Sequence, residues 1–292
     1  MQFLDVKTDY AFKKVFGSEQ SKPILMSFLN ALLDFNGEKI TDLTIVDPYQ
    51  IPLLQGMKDT FVDVKAVLSN QTNVIIEMQI LNVEGFEKRV LYNAAKSYST
   101  QLLKGEKYHL LNPVIALTIT DFVMFEDLKE IISTFKLLEK TNLINYSDDI
   151  QLVFIELPKF LKTDQELTNI TDKWIYFVKN AGSLEYIPET LQNDQEIQQA
   201  FTIANTASLS RSELELQEKR HDFIRLQQGS IDLARSQGKK EGKQEGFQEG
   251  QYFARLEIAK NLLAAGLEMP LIIKATGFSE HELEKIKRNQ HK

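Results

Sequence analysis

The sequence predicts an α/β fold, a mixed central sheet flanked by helices and followed by a purely helical second half. Three observations carry this. Segments that alternate apolar and polar residues are separated by segments with helical spacing, the pattern of a sheet with helical crossovers. One alternating pair, "TFVDVKAVLSNQTNVIIEMQI" at residues 60–80, is joined by a turn too short for a helix, so a hairpin makes the sheet mixed. After Pro158 the strand signals stop.

Residues 8–34 place Tyr10, Phe12, Val15, Phe16, Ile24, Leu25, Phe28, Leu29 and Leu32 at helical spacings broken near Gly17 and Pro23, which predicts two short helices. Residues 43–54, with prolines at their margins, read as an edge strand. After the hairpin, residues 86–104 return to a helical pattern that ends at Gly105. "PVIALTITDFVMF" reads as a buried strand, residues 126–139 as a helix, and "IQLVFIELPKF" as a second buried strand. Thr163 with Glu166 and Ser210 with Glu213 fit capping boxes, so helices are expected over 164–180 and about 189–235.

Side chains on a strand alternate faces. Val62, Val64, Ala66 and Leu68 should therefore share a core face with Val74, Ile76, Met78 and Ile80, leaving Asp63, Lys65, Glu77 and Gln79 on the other. A turn centred on Asn70 sets Asp63 opposite Glu77, with β-carbons about 5 Å apart. Two like charges there are tolerated if a cation lies between them, if Lys65 neutralises one, or if one carboxyl keeps its proton. Such a pair suits Mg²⁺, which takes one or two carboxylates and leaves room for water and phosphate oxygens. A solvated face whose acids pair with Lys65 is the alternative.

An Asp at the start of one strand and Glu-x-Gln on the next, with flanking helices, resembles the PD-(D/E)XK nuclease core. "TDYAFKKVFG" at 8–17, "KDTFVDVKA" at 58–66, "IIEMQ" at 75–79, Arg89-Val90-Leu91-Tyr92 and "ELPKF" together resemble the recombination-promoting nuclease/transposase (Rpn) family along essentially the whole chain. The resemblance implies a restriction-endonuclease-like core that hydrolyses DNA phosphodiesters with Mg²⁺ or Mn²⁺ held by Asp63 and Glu77, the Met78 carbonyl being a further candidate ligand. Gln79 stands where the common pattern has Lys, and an amide cannot accept a proton near neutral pH. Lys65 is the candidate for that role, or else a salt-bridge partner. Asp9 either reaches the metal or serves the dipole of the first helix. Arg89 either contacts a phosphate or lies on the helix surface.

Other chemistries find no support. Cysteine is absent, which removes thiolate nucleophiles and Cys-based zinc sites. There is no nucleophile elbow, P-loop or dinucleotide fingerprint, and none of the four histidines pair at i, i+4. No signal-peptide pattern opens the sequence and no run approaches the roughly 18 apolar residues of a membrane span, so the expected compartment is the cytoplasm. The net charge of −7 hides an uneven distribution, with 15 acidic residues against 7 lysines over 121–200 and a mildly basic tail. DNA remains the expected partner.

Residues 238–250, "GKKEGKQEGFQEG", place glycine at every fourth position. As a helix this costs roughly 4 kcal/mol against alanine, so it is either a linker or a helix whose glycine stripe meets a partner. Beyond it three short helices resemble a helix-turn-helix, suited to DNA binding or to packing and self-association. The expected organisation is a nuclease-like core over 1–160, a helical extension over 161–235, the glycine repeat over 236–254 and a small helical unit over 255–292. The helical C-terminal half is the candidate surface for a homo-oligomer. The function expected is a metal-dependent DNA endonuclease linked to recombination or mobile elements. The alternatives are a catalytically weak nuclease-fold module for binding or assembly, and a helix-turn-helix regulator.

Overall fold

The hairpin forms in the register that strand parity implies. In the computed structural model, which describes residues 2–35, 37–50 and 60–290, strand β4 (Val64–Leu68) runs antiparallel to β5 (Asn73–Gln79) with Val64 opposite Ile76 and Lys65 opposite Ile75. Gln71 takes a left-handed φ of 67° in the turn, and the Asn70 side chain accepts the Thr72 N–H at 3.0 Å.

One residue departs from that parity. The Asp63 N–H donates to the Ile76 carbonyl at 2.9 Å, although Ile76 is already the register partner of Val64. Two residues thus oppose one, as in a β-bulge. The extra residue breaks the period of two, so Val62 leaves the face of Val64, Ala66 and Leu68 and packs with Ile75, Ala94 and Ala116 instead. The preceding strand, β3 (Thr60–Phe61), pairs with β2 (Tyr49–Gln50), and Phe61 stacks on Tyr49 at 4.7 Å.

The hairpin sits in a six-stranded sheet together with β1 (Leu43–Val46), β6 (Val114–Thr120), β7 (Ile132–Leu138) and β8 (Asn145–Glu156), in the order β1-β4-β5-β6-β8-β7. β5, β6 and β8 are mutually parallel and the other pairings antiparallel, so the sheet is mixed. β1 is an edge strand, as expected for the segment starting at Leu43; residues 51–54 of that segment lie outside the described residues. All seven residues of β6 are buried, the condition of a parallel strand covered on both faces.

Residues 126–139 do not form the expected helix. A loop leads into β7, which pairs antiparallel with β8 from Ile132↔Ile155 to Phe135↔Leu152. Cross-strand pairing outweighs the helical spacing of this segment, and register shifts around Leu137 blur the alternation that marks a strand.

Helices cover the sheet. α1 (Asp9–Phe16), α2 (Lys22–Leu32), α4 (Ile170–Asn180) and α5 (Gln195–Ala204) bury Phe12, Phe16, Phe28, Trp174, Phe177 and Phe201 in one core with Val64, Ala66, Val74 and Ile76. α3 (Phe86–Ser99) packs elsewhere, its Ala94 with Ile75 and Ala116 and its Phe86 and Val90 with Phe154. Both expected capping boxes form, at Thr163/Glu166 and Ser210/Glu213. The second interrupts what reads as one helix over 189–235. α5 ends at Ala204, and α6 (Arg211–Ala264) begins after Ser210.

The chain divides into two units, Met1–Arg225 and Leu226–Lys292. In the second, the glycine repeat is helical within α6, followed by α7 (Met269–Thr276) and α8 (Glu280–Gln290). Its small core joins Ala259, Ile272, Phe278 and Leu283. Gly266 and Gly277 take left-handed φ values of 73° and 69° at the two turns, and Ser279 caps α8 with Glu282. No helix among the described residues is long and apolar enough to cross a membrane.

Candidate active site

The bulge that turns Val62 away also creates the position of Asp63. β4 stops pairing there, and the Met78 N–H of β5 finds its acceptor in Asp63 Oδ2 at 2.8 Å. Asp63 Oδ1 faces Lys13 Nζ of α1 at 3.4 Å. Burial pushes the Asp63 carboxyl above its ordinary range, the Met78 N–H and Lys13 pull it back, and the nearby charge of Asp9 pushes it up again.

Glu77, one residue before Met78, looks toward α3. Its Oε1 lies 2.5 Å from Arg89 Nη2 and its Oε2 accepts from Asn93 Nδ2 at 3.4 Å. Burial raises this carboxyl too; Arg89 opposes the shift and Asp63 adds to it. The Asp63 charge thus reaches Glu77 across the hairpin. Gln79 is fixed at both ends, its Nε2 donating to Leu81 O at 2.7 Å and its Oε1 accepting from Arg89 Nη2 at 2.6 Å.

Lys65 and Asp9 are the remaining residues singled out from the sequence. Lys65 is half-buried, its pKa lowered by that burial and only partly restored by Asp47, and it forms no ion pair with Asp63 or Glu77. Asp9, in the first turn of α1, is paired with Arg220 at 2.8 Å. The same stretch of α6 grips α1 twice more. Gln217 Nε2 donates to Thr8 Oγ1 at 2.8 Å, and Glu213 Oε1 receives both Tyr10 and Lys14 at 2.6 Å.

Among the described residues no group of three or more acidic or histidine side chains converges into a ready-made metal cage. The donor chemistry of the pair nevertheless fits a hard divalent cation. Two desolvated carboxyls, each pushed up further by a nearby acid, Asp63 by Asp9 and Glu77 by Asp63, are what such an ion would relieve. Lys13 and Arg89 supply counter-charge to Asp63 and Glu77 respectively.

The model of PD-(D/E)XK nuclease family transposases matches residues 6–234. The chain belongs to that family. The model of the C-terminal helix-turn-helix domain of the Rpn/YhgA-like nuclease family matches residues 254–288, covering the end of α6, α7 and α8. No curated protein and no solved structure matches the chain. Membership in the PD-(D/E)XK nuclease family transposases gives the chain a nuclease- or transposase-related role, and the helix-turn-helix domain is a DNA-binding element. Lys13 and Asn93 escaped the sequence reading. For Lys13 a signal existed, since it lies one turn after Asp9 on α1 and must share its face; Asn93 likewise lies one turn after Arg89.

Proposed function

We propose that the chain is a metal-dependent endonuclease that hydrolyses DNA phosphodiesters in the cytoplasm, in the service of recombination or mobile-element activity. The observation that carries this is the placement of Asp63 and Glu77, both desolvated, at the end of one hairpin, Asp63 toward Lys13 of α1 and Glu77 toward Arg89 of α3, with the Asp63 charge acting on Glu77. In this reading Asp63 and Glu77 hold Mg²⁺ or Mn²⁺, and the Met78 carbonyl is a further candidate ligand. When bound, the metal polarises the phosphate and acidifies its water.

The protein's own residues prepare the site. The Met78 N–H fixes the Asp63 carboxylate, and Lys13 balances its charge. Asp9 is assigned an outer position, where its charge strengthens the pull on a cation. Gln79 cannot take a proton. That role is assigned to Lys65, the lysine on this hairpin whose pKa burial lowers. The helix-turn-helix domain contributes DNA affinity.

A second reading, a nuclease fold that binds or assembles without efficient cleavage, draws support from Gln79, which both of its hydrogen bonds commit to holding neighbours. Nicking of supercoiled plasmid separates the two. The endonuclease requires Mg²⁺ or Mn²⁺ and loses activity in folded Asp63→Ala and Glu77→Ala variants. Equal cutting by wild type and variants would overturn it, and salt-sensitive DNA retention without cleavage is the outcome for the binding module.

A further inference from the structure

Gln79 replaces a lysine in the common pattern, and α3 supplies a cation to the same place. Arg89 Nη2 bridges Glu77 Oε1 at 2.5 Å and Gln79 Oε1 at 2.6 Å. The orientation of the Gln79 amide is settled by its partners, since Leu81 O must receive a donor and Arg89 must find an acceptor. A lysine at position 79 could not accept from Arg89 and would set a second cation against it. Gln79 and Arg89 therefore form one unit.

The guanidinium is placed to do more than neutralise Glu77. It stacks over the Phe86 ring at 5.1 Å, and its side chain remains 39% exposed. Its Nε is buried without a hydrogen-bond partner. It lines a cavity of about 460 Å³ at the N-terminal end of α3, together with Thr60, Lys88 and Tyr92. A half-exposed planar fork, a neighbouring lysine and a phenol suit a phosphate group, with the Glu84 carboxylate on the same lining as the opposing charge.

We propose that Arg89 is a phosphate-binding residue for the DNA backbone, that Gln79 is its positioning residue, and that the pair replaces the charge a lysine at position 79 would bring. The proposal rests on the nuclease reading for the identity of the ligand, but not for its test. Because Arg89 pairs with the Glu77 carboxylate that the nuclease reading would give to a metal ion, removing Arg89 would also free that carboxylate for a cation.

The test uses the full chain and four variants, Arg89→Ala, Arg89→Lys, Gln79→Lys and Gln79→Lys/Arg89→Ala, each checked for a wild-type melting profile. Binding of a fluorescein-labelled duplex without divalent metal is followed as salt is varied. Mn²⁺ binding is read by electron paramagnetic resonance, with no DNA present. Arg89→Ala should weaken DNA binding about tenfold and lower the salt slope by about one charge, while Mn²⁺ binds as well as in wild type or better. Arg89→Lys, which keeps the charge but not the fork, should fall between. Gln79→Lys alone should weaken DNA binding by setting two cations against each other, and the double variant should recover most of that loss, which a merely structural glutamine would not allow. Unchanged DNA affinity and salt slope in Arg89→Ala, or a double variant no better than the weaker single one, overturns the proposal. Should plasmid nicking prove independent of Asp63 and Glu77, the nuclease reading fails while these binding measurements still decide the role of Arg89.

Discussion

Asp63 and Glu77 are held in an uncomfortable state, and that state has a measurable consequence. Burial raises both carboxyls, so ionising them costs stability. For a group raised on folding, the stabilising contribution is complete below the unfolded carboxylate range and is lost as pH climbs through the folded value. The metal-free protein should therefore lose stability as pH rises from about 4 toward neutrality. A divalent cation reverses this, because it binds the ionised pair. Mn²⁺ at about ten times its dissociation constant should add about 1.4 kcal/mol, a rise in melting temperature of about 3–6 °C. The rise should be larger at about pH 8 than at about pH 5 and should vanish in Asp63→Asn or Glu77→Gln protein. A rise that survives both substitutions places the metal elsewhere. At this scale the sequence was informative about the acids and their register, because a short turn and a period of two leave few alternatives. It was silent on the bulge, which depends on where β3 goes next, and left Arg89 open between a phosphate contact and the helix surface, because that choice depends on how α3 packs.

Elements are tied together by buried charge. Glu156, at the end of β8, is fully buried, its Oε1 accepting the Met124 and Phe125 N–H groups at 2.5 and 3.0 Å and its Oε2 lying 2.5 Å from Lys159 Nζ. Lys159 also donates to Phe125 O at 2.9 Å, so the segment "ELPKF" staples the loop between β6 and β7 to the sheet. Glu156→Ala strands both N–H groups and the ammonium, at a cost of about 3–5 kcal/mol, which urea titration would detect as a lower midpoint with unchanged slope. A loss under about 1 kcal/mol would mean that the loop stands without the staple. The motif was visible in the sequence, but its purpose was not, because its partners lie some thirty residues away. The misread β7 has the same cause. Local spacing favoured a helix there, and only pairing with β8 makes it a strand.

At the scale of the whole molecule, the glycine repeat is the feature that local propensity explains least. It is helical within α6, and a β-carbon built on Gly238, Gly242, Gly246 or Gly250 meets nothing within 4 Å, so no contact of the described chain requires these glycines. Leu226, Leu233 and Phe247 are exposed on the same helix at multiples of seven residues. Lys239, Lys240 and Lys243, with Glu241 among them, precede Glu245 and Glu249. A second copy running antiparallel would oppose unlike charges and cover the apolar positions, with glycines allowing the backbones to approach. We propose this self-association for the helical half. Replacing all four glycines by alanine should then act in two opposite ways. At low protein concentration the helix gains about 2–4 kcal/mol from propensity, seen as stronger helical circular dichroism and a higher melting temperature for that transition. At high concentration sedimentation velocity should show less dimer than wild type, because four methyl groups hold the backbones apart. A wild-type protein that sediments as a monomer at every concentration overturns the self-association and leaves the glycines as a cost with no partner to offset it.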